Sequence, residues 1–137
     1  MALPFEEALR YTITSAALAV GSNVFSAFAQ QRPTTPYLVF VQIGPRPLHS
    51  HGGPPSPGIL QRTYQFSIFD PSQSSSISIA DSLRALLDGY RGVMAVSADP
   101  SAQQYSVQGC LFQSQKYMWD ADARLHMQAQ DYFIQFT

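Results

Sequence analysis

The chain has 137 residues, eight basic and nine acidic side chains, and a formal net charge of −1. That length suits one domain around one core, and the near-neutral balance excludes binding driven by a basic patch on a phosphate backbone. Charged residues make up 12% of the chain, about half the usual globular share, so the surface must be covered by Ser, Gln, Thr and apolar groups, a composition that favours self-association.

Pro4 suits a first helical position, and Glu6 and Glu7 sit where the helix dipole favours acid. Phe5, Leu9, Ile13, Ala16 and Val20 recur at spacings of three and four, which predicts a helix ending at Gly21. Val24-Phe25 is read as a brief strand and Gln30 to Pro36 as a linker. Ala27-Phe28-Ala29 has the form of a signal-peptidase site. The segment before it carries two acids and only Arg10, and Gly21-Ser22-Asn23 interrupts its apolar run, so no secretory leader is expected. No run has the length and apolarity of a membrane span, so no membrane partner is expected.

Tyr37 to Ile43 is almost continuously apolar and reads as a strand buried on both faces or nearly so. Gly44 to Gly58 contains five prolines and supports no regular element; loops of this length in a compact domain are usually functional or disordered. Leu60, Arg62, Tyr64, Phe66 and Ile68 alternate with polar residues, predicting a strand with one wet face that Asp70-Pro71 ends. Ser72 to Ser78 reads as a solvated link. Ser78 with Asp81 has capping-box spacing, and Ile79, Leu83, Leu86, Leu87 and Tyr90 form the buried stripe of a second helix that Gly89 or Gly92 ends. Tyr105 to Met118 is strand-like with a bulge or bend at Gly109, Trp119 to Ala123 is a connecting turn, and Leu125 to Thr137 is a last strand with Tyr132, Ile134 and Phe136 on one face. The lone Cys110 lies in an apolar strand and reads as a small buried hydrophobe. The fold class expected is α+β: one domain over 1–137, with a small antiparallel or mixed sheet, an N-terminal helix and a second helix packed on one face.

Few residues invite a chemical role. His49 and His51 share a loop and His126 lies in a strand, but a zinc site needs a third or fourth ligand and no spacing motif supplies one. Asp120 and Asp122 flank a turn, where Asp commonly caps its own backbone, and Asp131 is further on. There is no nucleophile-elbow motif. Gly52-Gly53-Pro54-Pro55 lacks the lysine and helix of a phosphate cradle. Tyr37, Phe40, Tyr64 and Phe66 could stack bases, but their alternation and company fit a core. No catalytic, cofactor or metal residue is assigned.

The order of parts resembles the tail-completion, or tail-terminator, family of long-tailed bacteriophages and phage-like particles. The features that carry it are the helix from Phe5 to Val20, Val24-Phe25, Thr35 to Phe40, Arg62 to Phe69, the helical run Ala80 to Gly92 and the closing Asp131-Tyr132-Phe133-Ile134. The Gly44 to Gly58 loop is larger than the family's usual turn there. The resemblance implies a non-enzymatic virion protein made in the host cytoplasm that assembles as a homo-oligomeric ring, commonly a hexamer. Such a ring caps the tail tube, contacts the tail tube protein and a head–tail connector protein, and lets DNA pass its lumen without specific binding. The candidate contact residues are Arg46, Leu48, His49, His51, Pro54 and Pro55 on the loop, and Trp119. The rival readings are a head-completion or stopper protein, a small metal-dependent α+β enzyme using His49, His51 and an acid, and a ligand-binding domain with a pocket under the second helix.

Overall fold

A computed structural model describes residues 4–16, 18, 20, 23–26, 35–44, 60–99 and 101–137. In chain order the elements are helix α1 (Phe5–Ser15), strands β1 (Val24–Ser26), β2 (Tyr37–Gly44) and β3 (Leu60–Asp70), helix α2 (Gln73–Leu87), and strands β4 (Gly92–Ala95), β5 (Gln104–Asp120) and β6 (Leu125–Phe136). The strands form one six-stranded sheet in the order β1-β2-β3-β6-β5-β4. Only β1 and β2 run parallel; every other neighbouring pair is antiparallel. The α+β expectation and the N-terminal helix are borne out.

α1 buries Phe5, Ala8, Leu9 and Ile13. Phe5 stacks on Phe136 with ring centroids 3.7 Å apart and meets Tyr105 edge-on at 5.4 Å. The helix stops at Ser15, short of the expected Val20. Thr12, Ile13 and Thr14 are β-branched and weak helix formers. The chain closes there with a tight turn in which the Ala16 N–H meets the carbonyls of both Thr12 and Ile13. Val20 is still buried, so the apolar spacing outlasted the helix. At the far side of α1, Glu6 Oε1 accepts from the Tyr64 hydroxyl at 3.1 Å and faces Arg62 Nη1 at 3.5 Å, tying the helix to β3.

α2 begins at Gln73, six residues before the expected Ile79. The Ser72–Ser78 run is therefore not a link but the cap and first turns of the helix. Asp70, the last residue of β3, is buried and accepts from the Ser72 N–H at 2.8 Å and the Ser75 hydroxyl at 2.6 Å. Ser72 Oγ in turn accepts from the Ser75 N–H. Ser78 lies inside the helix, so the Ser78–Asp81 pair is no capping box. The buried face carries Ile79, Ala80, Leu83 and Leu87, with Leu86 and Tyr90 packed beside it. Leu87 ends the helix, and Gly89, at φ +79°, takes the left-handed conformation that turns the chain toward β4.

The strand expectations need three corrections. β2 is buried on one face only: Leu38 and Phe40 are fully enclosed, whereas Val41 and Ile43 are 39% and 50% exposed. The short β4 was not expected; four residues with an exposed Val93 and a buried Met94 carry too little pattern to be seen. Trp119 and Asp120 continue β5 instead of forming a turn, and the reversal falls on residues 121–124, with Arg124 at φ +55°. The irregularity expected at Gly109 is present as a register shift between Val107 and Gly109, and a second lies between Phe112 and Ser114.

Candidate assembly surface

Residues paired across neighbouring strands point to the same side of a sheet, so the register sorts the two faces. Leu38, Phe40, Tyr64, Phe66, Ile68, Tyr132 and Ile134 face the helices and are fully buried. Their pairing partners of opposite parity, among them Val41, Gln65, Asp131, Phe133, Leu111 and Met118, form the other face. No described element packs on that side. It exposes Val41, Val93, Leu111 and Met118, with Leu111 58% exposed. Asp131 also lies there: Oδ2 accepts from the Ser114 hydroxyl at 3.0 Å, while Oδ1 is buried without a partner.

Under α2 the core turns polar. Gln130 is fully buried; its amide donates to the Ala80 carbonyl and to Gln115 Oε1, both at 2.9 Å, and its Oε1 accepts from the Tyr132 hydroxyl at 2.8 Å. Gln115 donates to Gln128 Oε1, and Gln128 donates to the Ser76 hydroxyl. This chain of bonds fixes where α2 sits along β6, because a sliding helix would leave several buried polar groups unpaired.

The sheet edges differ in protection. At one side, the Val24 carbonyl of β1 accepts from Arg10 Nε at 3.0 Å. At the other, β4 pairs with β5 only along Gln104–Val107. Past it, the Gly89 N–H donates to the Cys110 carbonyl at 2.7 Å and the Phe112 N–H donates to Asp88 Oδ1 at 3.2 Å. From Ser114 to Asp120 no described strand lies on that side of β5. Exposed edges of this kind are templates for pairing with another chain.

Trp119 sits on this open edge, 49% exposed, with its ring 4.6 Å from that of His126. Tyr117 lies beside it, and its hydroxyl is 2.6 Å from His126 Nδ1. Of the expected contact residues, Trp119 is therefore placed at a surface. Arg46, Leu48, His49, His51, Pro54 and Pro55, with the Gly44–Gly58 loop beyond Gly44, lie outside the described residues. Residues 115–124 are all exposed; Tyr117 and Trp119 share a face with the core-facing residues of β5 and are left uncovered there, which no local sequence pattern marks.

Among the described residues no group of three His, Cys, Asp or Glu side chains comes together, and no described helix is long and apolar enough to cross a membrane. A cleft of about 300 Å³ opens between the segment joining α2 to β4 and strands β5 and β6, lined by Gly89, Arg91, Gln108, Cys110, Leu111 and Phe133. Its one nucleophile is passive: burial, then the nearby Asp88 charge, pushes the Cys110 thiol up to about 12, so it stays protonated. Burial likewise raises the Tyr64 and Tyr132 phenols. Of the basic residues, Arg10, Arg62 and Arg84 are engaged with Val24, Glu6 and Asp88 respectively, and Arg84 also lies 4.0 Å over the Phe112 ring.

The fold resembles that of a virion protein. Among solved structures it is similar to a chain of the virion of a native gene transfer agent (GTA) particle, with a TM-score of 0.57 over 90% of this chain and 83% of that one. Identity is 14%, so the likeness is one of fold. No family model matches this chain, and no curated protein does.

Proposed function

We propose that this chain is a structural subunit of a phage-like particle, and that it forms the homo-oligomeric ring, commonly a hexamer, that closes the tail tube and joins it to the head connector. The observation that carries the reading is the similarity in fold, over nearly the whole length of both chains, to a chain of a gene transfer agent virion. The open sheet face with Val41, Val93, Leu111 and Met118 exposed supports it, since a subunit that is to be covered by neighbours can leave such groups uncovered. The low charge fits a conduit that DNA passes without being held. On this reading the protein acts by shape, as a non-enzyme: one surface stacks on the last tube ring and stops growth, and the opposite one docks the head.

Two further parts belong to the proposal. The 44–58 loop is a partner-contacting arm whose five prolines limit the entropy lost on docking, and Trp119 is a contact residue. Negative-stain images of the purified protein should show rings of one diameter that bind the ends of purified tail tubes. Particles without rings, and no binding to tube ends, would overturn the reading. Replacing residues 49–57 by a short Gly-Ser link should preserve the circular dichroism spectrum and lower ring formation or head joining; unchanged assembly would remove the loop from the proposal.

A further inference from the structure

The open edge of β5 carries the sequence Lys116-Tyr117-Met118-Trp119-Asp120, and all five residues are exposed. Lys116, Met118 and Asp120 lie on the open face, paired with Ala129, Met127 and Leu125 of β6. Tyr117 and Trp119 lie on the helix side, paired with Gln128 and His126. Read in both directions, the segment runs charge, aromatic, methionine, aromatic, opposite charge. We propose that free subunits pair with a second copy of this chain through this edge, β5 against β5, antiparallel about a twofold axis at Met118.

In that register Lys116 stands opposite Asp120 of the second copy, and Tyr117 opposite its Trp119. Both contacts occur twice by symmetry, and the two Met118 side chains meet on the axis. Opposed residues fall on the same face, as a continuous sheet requires, and opposite charges and aromatic pairs are the favourable cross-strand neighbours. Centring on Tyr117 instead sets Lys116 against Met118 and Gln115 against Trp119, which loses both kinds of pair. This complementarity of charge and ring is what selects a second copy as the occupant over an unrelated strand. Asp120 Oδ1 accepts from the N–H groups of Asp122 and Ala123 at 3.1 Å, so Oδ2 is the oxygen that would meet Lys116 of the second copy. The other sheet edge offers no equivalent, because β1 is only 3 residues long and its Val24 carbonyl already accepts from Arg10.

A contact of this kind is isologous, whereas neighbours within a cyclic ring meet through unlike surfaces. The pair is therefore a form of the free subunit, separate from the ring and not dependent on that reading. Entry into a ring would have to open it or leave it on the rim.

The test is sedimentation velocity over a concentration series of the full chain. A dimer in exchange with monomer is expected. Lys116→Asp alone and Asp120→Lys alone each set like charges opposite one another twice, and each should raise the dimer dissociation constant about tenfold. Mixed in equal amounts, the two variants should recover the original affinity, because every cross pair is then opposite in sign. Met118→Lys, at an exposed site, places two ammonium groups on the axis and should leave monomer with an unchanged melting temperature. A monomer at every concentration, a dimer indifferent to these changes, or a mixture no tighter than its components would overturn the proposal. Rings under the microscope with no such dimer would refute it while leaving the assembly reading intact.

Discussion

Gln130 and Tyr132 offer a direct test of how α2 is held on the sheet. Both are fully buried, and the Tyr132 hydroxyl donates to Gln130 Oε1 at 2.8 Å. Gln130→Leu removes that acceptor and strands a buried hydroxyl, which costs about 1–3 kcal/mol. The other lost contacts weigh less: the Ala80 carbonyl belongs to the helix, and Gln115 lies at an exposed position where water can replace Gln130. Tyr132→Phe strands Gln130 Oε1 instead and should cost about 1–2 kcal/mol. The double variant leaves neither group orphaned, so its loss should be smaller than the sum of the singles by about 1 kcal/mol or more. Urea denaturation of all four proteins gives the cycle, and thermal melts should move by about 3–5 °C per kcal/mol for a chain of this size. Strictly additive losses would mean that the two side chains do not interact, and would refute the reasoning.

Leu83, fully enclosed between α2 and the sheet, should cost about 2–5 kcal/mol on substitution by alanine, and an unchanged denaturation midpoint would deny its burial. Asp70→Ala removes two bonds at the start of α2 and should destabilise by about 1–2 kcal/mol with loss of helical signal; loss of stability without loss of helicity would count against a capping role. Cys110 should resist alkylation at pH 8 until the protein is unfolded. Because burial raises its thiol from 9.0 to about 12, the stability linked to it is complete below pH 9.0 and declines as pH climbs toward about 12; Cys110→Ser should flatten that part of the alkaline profile. Finally, a chelator should leave the melting temperature unmoved, since His49 and His51 have no third ligand in the sequence pattern; a fall on chelation would revive a metal site.

Local pattern determined much of this protein. The alternation from Tyr64 to Ile68 and from Tyr132 to Phe136 named the buried face of the two central strands, because a period of two needs no tertiary information. The stripe Phe5, Leu9, Ile13 marked α1, and Gly109 marked a bulge. Other features depended on what lies alongside each segment. The serines before Ile79 read as a link because serine favours caps and turns; Asp70, ending β3 just upstream, accepts from the Ser72 N–H and the Ser75 hydroxyl and starts the helix there. The Tyr37–Ile43 run read as doubly buried because an apolar strand does not record how many of its faces are covered. Trp119 read as a turn residue, and its place on an open edge came from β4 pairing with only the first part of β5. Periodicity is a property of the chain, whereas cover and edge exposure are properties of what lies alongside it.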